Sequence, residues 1–119
     1  MSKIEPEIIK DITEKCLIIK IRQDFIDKHN GDIYEASRHE WRLSAKNALK
    51  VEYALIVLNG VVKTVYTDLT WYPENLRLTF EGITAPKSIL DKYMGKRIPL
   101  NYVKDRGKNP CRYVNIDNK

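Results

Sequence analysis

The sequence predicts an α+β domain. Its mixed, mostly antiparallel sheet of five to six strands curls toward a small barrel, with helices packed outside. Three observations carry this reading. Two β-branched, apolar runs, Cys16 to Ile21 and Tyr53 to Leu58, have the composition of buried strands. Asn59-Gly60 separates the second run from another at Val61 to Tyr66, and Asn-Gly favours the positive backbone angles of a two-residue hairpin turn. Helix-start signals recur on both sides of this β-rich middle, at Pro6, at Asp32 with Glu35, and at Pro86. At 119 residues the chain reads as a single domain, long enough to bury a core without disulfides or metals. An N-terminal helical segment within residues 1–15 precedes a core spanning 16–116.

The elements follow in order. Pro6 opens a short amphipathic helix over roughly 6–14, with Ile4, Ile8, Ile9 and Ile12 marking its face. Cys16 to Ile21 is a buried strand, followed by a loop through His29-Asn30-Gly31. Asp32 caps a helix over about 32–41, and Ser44 caps another short one holding Ala45, Ala48 and Leu49. The hairpin comes next. Its first strand, apolar on both faces, belongs in the sheet centre, while its second turns Lys63 and Thr64 outward. Trp71-Tyr72-Pro73 reads as a loop. Leu76, Leu78 and Phe80 alternate with Arg77 and Thr79 as a strand with one wet face. Pro86 opens a helix with Ile89, Leu90, Tyr93 and Met94 on its apolar side, and Gly95 ends it. A basic loop containing Pro99, Gly107 and Pro110 leads to a last strand, Cys111 to Ile116. The predicted order is α-β-α-α-β-β-β-α-β, with a flat α+β sandwich as the alternative to a barrel.

Charge is distributed unevenly. Residues 1–60 carry ten basic and ten acidic groups, whereas 61–119 carry eleven and six. Between Lys92 and Arg112 seven basic residues (Lys92, Lys96, Arg97, Lys104, Arg106, Lys108, Arg112) face one acid, Asp105, so this stretch holds +6 against +5 for the whole chain. Tyr93, Tyr102 and Tyr113 interleave with it. Cations mixed with flat rings suit a polyanion that carries stackable bases. A solvated surface is the alternative.

Other classes lose ground. The longest apolar stretch is far too short to span a bilayer, and the N-terminus lacks a secretory pattern, so a cytoplasmic location is expected. Cys16 and Cys111 are expected as thiols. His29 and His39 lie ten residues apart with no cysteine pair nearby, so no metal site is expected, and no cofactor motif is present. Gly95-Lys96 and Gly107-Lys108 lack the rest of a phosphate-loop pattern. His39 beside Glu40, Cys111 as a nucleophile, and the acids Asp68, Glu74 and Glu81 are the candidates for catalysis, but their spacing matches no catalytic motif.

The helix near residue 34 offers a second binding element. Tyr34, Arg38, Trp41 and Arg42 share one stripe if the helix reaches Arg42. Two rings and two guanidiniums there can stack on bases and pair with phosphates. The same rings can instead pack the helix onto the sheet.

Tyr34-Glu35-Ala36-Ser37-Arg38, Trp41-Arg42, Tyr53-Ala54, Val57, Gly60-Val61-Val62 and Val65-Tyr66, with Gly95-Lys96-Arg97, Asn109-Pro110 and Arg112-Tyr113-Val114-Asn115, resemble small uncharacterised proteins of bacteria and their phages. The helix-then-hairpin layout is similar to the PUA-like barrels, including the ASCH and EVE domains. That resemblance implies binding of RNA, or of a modified base in DNA, in a pocket lined by aromatics and basic groups. The Gly-x-Lys-x-x-Glu-x-Arg signature of the ASCH group is absent.

The expectation is therefore a non-catalytic nucleic-acid or nucleotide binding module. Tyr34, Arg38, Trp41 and Arg42 form one wall, Trp71 stacks, and Lys96, Arg97, Arg106 and Arg112 hold phosphates. The alternatives are a protein-interaction factor, bacterial or phage-encoded, that engages an acidic partner, and a small hydrolase or nuclease.

Overall fold

A computed structural model describes residues 6–39, 41–99, 102 and 111–116. The order is β1 (Cys16–Ile21), α1 (Gln23–Lys28), α2 (Ile33–Arg38), α3 (Ala45–Ala48), β2 (Tyr53–Leu58), β3 (Val61–Glu74), β4 (Arg77–Thr84), α4 (Lys87–Tyr93) and β5 (Cys111–Val114). The five strands form one sheet in the order β4-β3-β2-β1-β5. Only β1 and β2 run parallel. The α+β class and the mixed, mostly antiparallel sheet match the sequence expectation. The sheet is open, with β4 and β5 as its edges and no closure into a barrel.

Alternation along β1 and β2 explains why both faces are covered. Cys16, Ile18, Leu55 and Val57 point to one face, where Ile9, Ile12, Tyr93 of α4 and Ile98 pack on them. Leu17, Ile19, Ile21, Ala54 and Ile56 point to the other, under Ile26 of α1, Ala36 of α2, Trp41 and Phe80. The central strands have few polar positions because neither face is wet. β2 is central, as its uniformly apolar composition required.

The hairpin at Asn59-Gly60 forms with φ of 53° and 81°, the positive angles this pair favours. Asp32 caps α2 by accepting from the Glu35 N–H, and Ser44 caps α3 by accepting from the Asn47 N–H. Pro86 precedes α4, and Gly95 follows it at φ 82°.

Four expectations are corrected. Residues 6–15 form no helix. Instead Ile9 N–H donates to the Arg97 carbonyl at 3.0 Å and Arg97 N–H to the Glu7 carbonyl at 2.8 Å, an extended pairing that suits a run of β-branched isoleucines. Ile9 and Ile12 are still buried, while Ile8 is exposed and Ile4 lies outside the described residues. A helix, α1, precedes the His29–Gly31 turn; it has no side-chain cap and buries only Ile26, so it left little trace in the sequence. The helix begun at Asp32 stops at Arg38, with His39 already extended, so Trp41 is not on it. Trp71-Tyr72-Pro73 is strand rather than loop. Pro73 is tolerated because β2 pairs only with the first part of β3, through Tyr66, so no ladder bond is lost there.

Candidate functional site

The side chains of the predicted binding helix meet at the outer edge of β4. An edge strand presents unpaired backbone N–H and C=O groups. Here Trp41 exchanges two backbone bonds with Leu78 (2.7 and 2.9 Å), Arg38 Nε donates to the Phe80 carbonyl at 2.8 Å, and Gly82 N–H donates to the Tyr34 hydroxyl at 3.0 Å. Leu78, Phe80 and Gly82 are alternate residues of the strand, so the three contacts march along one edge. Three of the four residues expected to line a ligand wall therefore converge on the protein's own strand.

Their burial follows. Trp41 is 7% exposed, and its indole N–H donates to the Ser37 carbonyl at 2.7 Å. Neither ring face is open to a base. Tyr34 stands edge-on to Tyr66 at 5.2 Å, with the Arg38 guanidinium 5.4 Å from its ring centre. Arg38 is 8% exposed. Beyond Phe80 it donates to the Tyr72 hydroxyl (2.6 Å) and to Glu35 (3.2 Å), and lies 3.7 Å from Glu81. A guanidinium with this many partners has no donor left for a phosphate. Arg42 is exposed, with no ion pair among the described residues.

Next to Arg38, His39 is held between two carboxylates. Its Nδ1 lies 3.0 Å from Glu74 and its Nε2 2.9 Å from Glu35, while the Thr79 hydroxyl donates to the same Glu74 oxygen at 2.6 Å. Hydrogen bonding to Glu74, then to Glu35, raises the His39 pKa above its ordinary value against partial burial and the Arg38 charge. Glu74 is lowered, first by Thr79 and then by His39, and Glu35 is lowered, first by His39. The Arg38 guanidinium is also 3.0 Å from Nε2. A protonated ring donates to both carboxylates, and a neutral ring can accept from Arg38 instead. In either state both ring nitrogens are engaged by protein groups. Glu40, paired with His39 in the sequence analysis, lies outside the described residues.

Sequence reasoning picked Asp68, Glu74 and Glu81 as loose acids and His39 beside Glu40 as a base. It did not bring them together, because nothing in the spacing reports contacts across 35 residues. Among the described residues no group of three or more His, Cys, Asp or Glu side chains could hold a metal ion. Cys16 and Cys111 are buried, and desolvation pushes both thiols up to about 12, so Cys111 has little thiolate with which to attack.

The basic candidates lie elsewhere. Lys92 is bound to Glu14 at 3.0 Å, and Lys96 is 3.9 Å from Glu7. Arg97 sits beside the first hairpin: its backbone bridges Ile8 and Val61, and its Nη1 is 3.1 Å from where a Cβ on Gly60 would stand. Arg112 is opposite Ile18 on β5, on the same sheet face as Lys20, which pairs with Val57. Arg97 and Arg112 are half-buried and have no carboxylate partner among the described residues. Arg106 lies outside the described residues. Trp71 is half-buried, packs edge-on against Phe80 at 5.2 Å, and keeps its indole N–H buried without a partner among the described residues. The residues that the sequence singles out thus fall into separate sets: Tyr34, Arg38, Trp41 and Trp71 around β3 and β4, Lys96 and Arg97 by the first hairpin, and Arg112 on the opposite edge strand.

No protein-family model, no curated protein and no solved structure matches the chain. Among the described residues no helix is long and apolar enough to cross a membrane.

Proposed function

We propose that the chain is a non-catalytic nucleic-acid binding module whose contacts come from Lys96 to Arg112 and not from α2. The observation that carries this is the contrast between arginines. Arg38 is saturated by protein groups. Arg97 and Arg112, also half withdrawn from water, have no carboxylate partner among the described residues. Burying part of a cation without an anion is costly, and phosphate oxygens would offset that cost. Arg97 and Arg112 also bracket the stretch that carries Lys104, Arg106 and Lys108. Stacking contributes less than the sequence implied, because Trp41 is enclosed and Tyr93 is fully buried.

Fluorescence anisotropy with single-stranded and duplex oligonucleotides, at about 50 and 200 mM salt, tests the reading. Affinity should fall steeply with salt. Arg97→Ala with Arg112→Ala should weaken binding alike for all sequences and lower the salt slope by about two phosphate contacts. Absent binding, or binding indifferent to salt, rules the proposal out.

A further inference from the structure

Asn59 stands exposed at the tip of the first hairpin, and the residue after it is Gly60. An asparagine before glycine carries both halves of an internal reaction. Its side-chain carbonyl carbon, Cγ, is an electrophile, and the next backbone nitrogen is a nucleophile with no side chain to screen it. In a folded chain the outcome depends on how that nitrogen is held. The chain has a second such pair, Asn30-Gly31, with nearly the same backbone. Its φ values are 58° and 81°, against 53° and 81° at Asn59-Gly60.

The two pairs are held differently. Gly31 N–H donates to the Ile26 carbonyl at 2.9 Å in the turn that ends α1, so its proton is committed. Gly60 N–H has no acceptor among the described residues, and only the Gly60 carbonyl is used, by Ile98 N–H at 2.9 Å. Gly60 is therefore anchored while its nitrogen stays open. The surroundings differ as well. A Cβ placed on Gly31 would meet nothing within 4 Å, whereas one placed on Gly60 would stand 3.1 Å from Arg97 Nη1. The guanidinium thus lies against the Gly60 backbone, and Arg97 has no carboxylate partner among the described residues. Asn115, also at positive φ, is excluded on both counts. Its Nδ2 donates to the Ile12 and Glu14 carbonyls at 2.7 and 2.9 Å, and the branched Ile116 screens the next nitrogen.

We infer that Asn59 is a site of spontaneous deamidation, promoted by Arg97. Gly60 N gives its proton to hydroxide and forms a bond to Asn59 Cγ. The Cγ–Nδ2 bond breaks, and Nδ2 takes up a proton and leaves as ammonia. Water then opens the cyclic imide at either carbonyl, leaving aspartate or isoaspartate at position 59. Negative charge is present at each stage, first on the nitrogen, then on the tetrahedral oxygen, and finally on the product carboxylate. The Arg97 cation is placed to stabilise all three. The product also gives the half-buried Arg97 a neighbouring carboxylate.

Incubation of the full chain in mildly alkaline buffer, followed by peptide mapping with mass spectrometry, tests this. In the native protein the Asn59 peptide should gain the amide-to-acid mass shift about fivefold to tenfold faster than the Asn30 peptide, the ratio expected when one nitrogen is hydrogen-bonded and the other is not. An isoaspartate-specific methyltransferase should label the Asn59 peptide. In denaturant the two pairs should convert at similar rates. Arg97→Gln, studied below the temperature at which it begins to unfold, should slow conversion at Asn59 by about fourfold, the effect of removing a unit charge about 5 Å away in water. Arg97→Lys should keep most of the wild-type rate. Equal native rates at Asn59 and Asn30 overturn the inference, as does a preference for Asn59 that persists in denaturant. A rate that Arg97→Gln leaves unchanged or raises overturns the part assigned to Arg97. Every readout is a covalent change at residue 59 and none uses an oligonucleotide, so the outcome is separate from that of the proposed function.

Discussion

Arg38 and Phe80, forty-two residues apart, are joined by a 2.8 Å hydrogen bond from Nε to the backbone carbonyl, and this bond closes the middle of an otherwise open strand edge. Trp41 below and Tyr34 above complete the cover. Residues that look like ligand contacts in the sequence are thus the device that keeps β4 from pairing with another chain. Arg38→Ala should destabilise the fold by about 2–4 kcal/mol, since it leaves the Phe80 carbonyl and the Tyr72 hydroxyl without their donor. Arg38→Lys should recover little, because an ammonium cannot serve an edge carbonyl, a phenol and a carboxylate as a planar fork does. Urea unfolding gives the stability. Light scattering on gentle heating should show earlier aggregation in both variants than in a core variant of equal stability. If scattering follows stability alone, Arg38 is not an edge guard.

The His39 cluster makes stability depend on pH in a set direction. The folded pKa of His39 is raised above 6.5, chiefly by Glu74. Its contribution is therefore fully present below the unfolded value of about 6.5 and is lost as pH rises through the folded value. Glu35 and Glu74 are lowered from 4.5, so their contributions are present above that value and fade as pH falls through the folded values. The cluster is strongest between these limits. His39→Gln should flatten the alkaline side of the stability profile and leave a weaker acid slope. Urea unfolding at intervals from about pH 4 to 9 checks this, and parallel profiles for the two proteins would refute it.

How much could be read in advance depended on how local the cause was. Asn59-Gly60, Asp32 with Glu35, Ser44 and the Pro86-to-Gly95 helix are set by residues close together in sequence, and all four form. The uniformly apolar Tyr53–Leu58 run placed β2 in the centre correctly. What failed was decided at long range. Ile8, Ile9 and Ile12 fit a helical stripe, yet the segment pairs with residue 97, far along the chain. Trp41 fits the stripe of Tyr34 and Arg38, but its backbone is claimed by Leu78. The composition of an arginine-and-aromatic face is the same whether it awaits a base or covers a strand, and only the position of β4 separates the two.

Gly82 gives a test of the ribbon's geometry that does not involve a turn. A Cβ there would stand 2.8 Å from the Thr67 carbonyl and 2.9 Å from Leu69 Cδ2. The β3–β4 pairing shifts register between Thr67 and Thr70, with Asp68 at φ 54°, so the bulged backbone of β3 leans onto this glycine. The leucine can move, but the carbonyl cannot without disturbing the bulge. Gly82→Ala should cost about 1–3 kcal/mol by overpacking, and the strained Gly82 N–H bond to Tyr34 should show faster amide exchange. Gly31→Ala is the control. Its Cβ would meet nothing, so its cost should be limited to the left-handed backbone, about 1 kcal/mol. Equal losses at the two sites would contradict the close approach.

The two thiols test the layering of the sheet. Cys16 belongs to the core of one face and Cys111 to that of the other. They lie on neighbouring strands, β1 and β5, but the pairing sets Cys16 against Val114 and Cys111 against Ile19. Their side chains therefore point away from each other across the sheet, and setting Cys16 opposite Cys111 would require one strand to slip by three residues. Burial also raises both thiols to about 12, which lowers the thiolate fraction at pH 8 by about three orders of magnitude relative to an open cysteine. Incubating the native protein with an oxidised thiol buffer should leave it without an internal disulfide, and a thiol-specific chromophore should label both cysteines only at the rate of unfolding. Adding denaturant should release two equivalents together. Rapid native labelling of Cys111 alone would show that the β5 edge opens independently of the rest of the sheet, and would argue against the closed core described for that face.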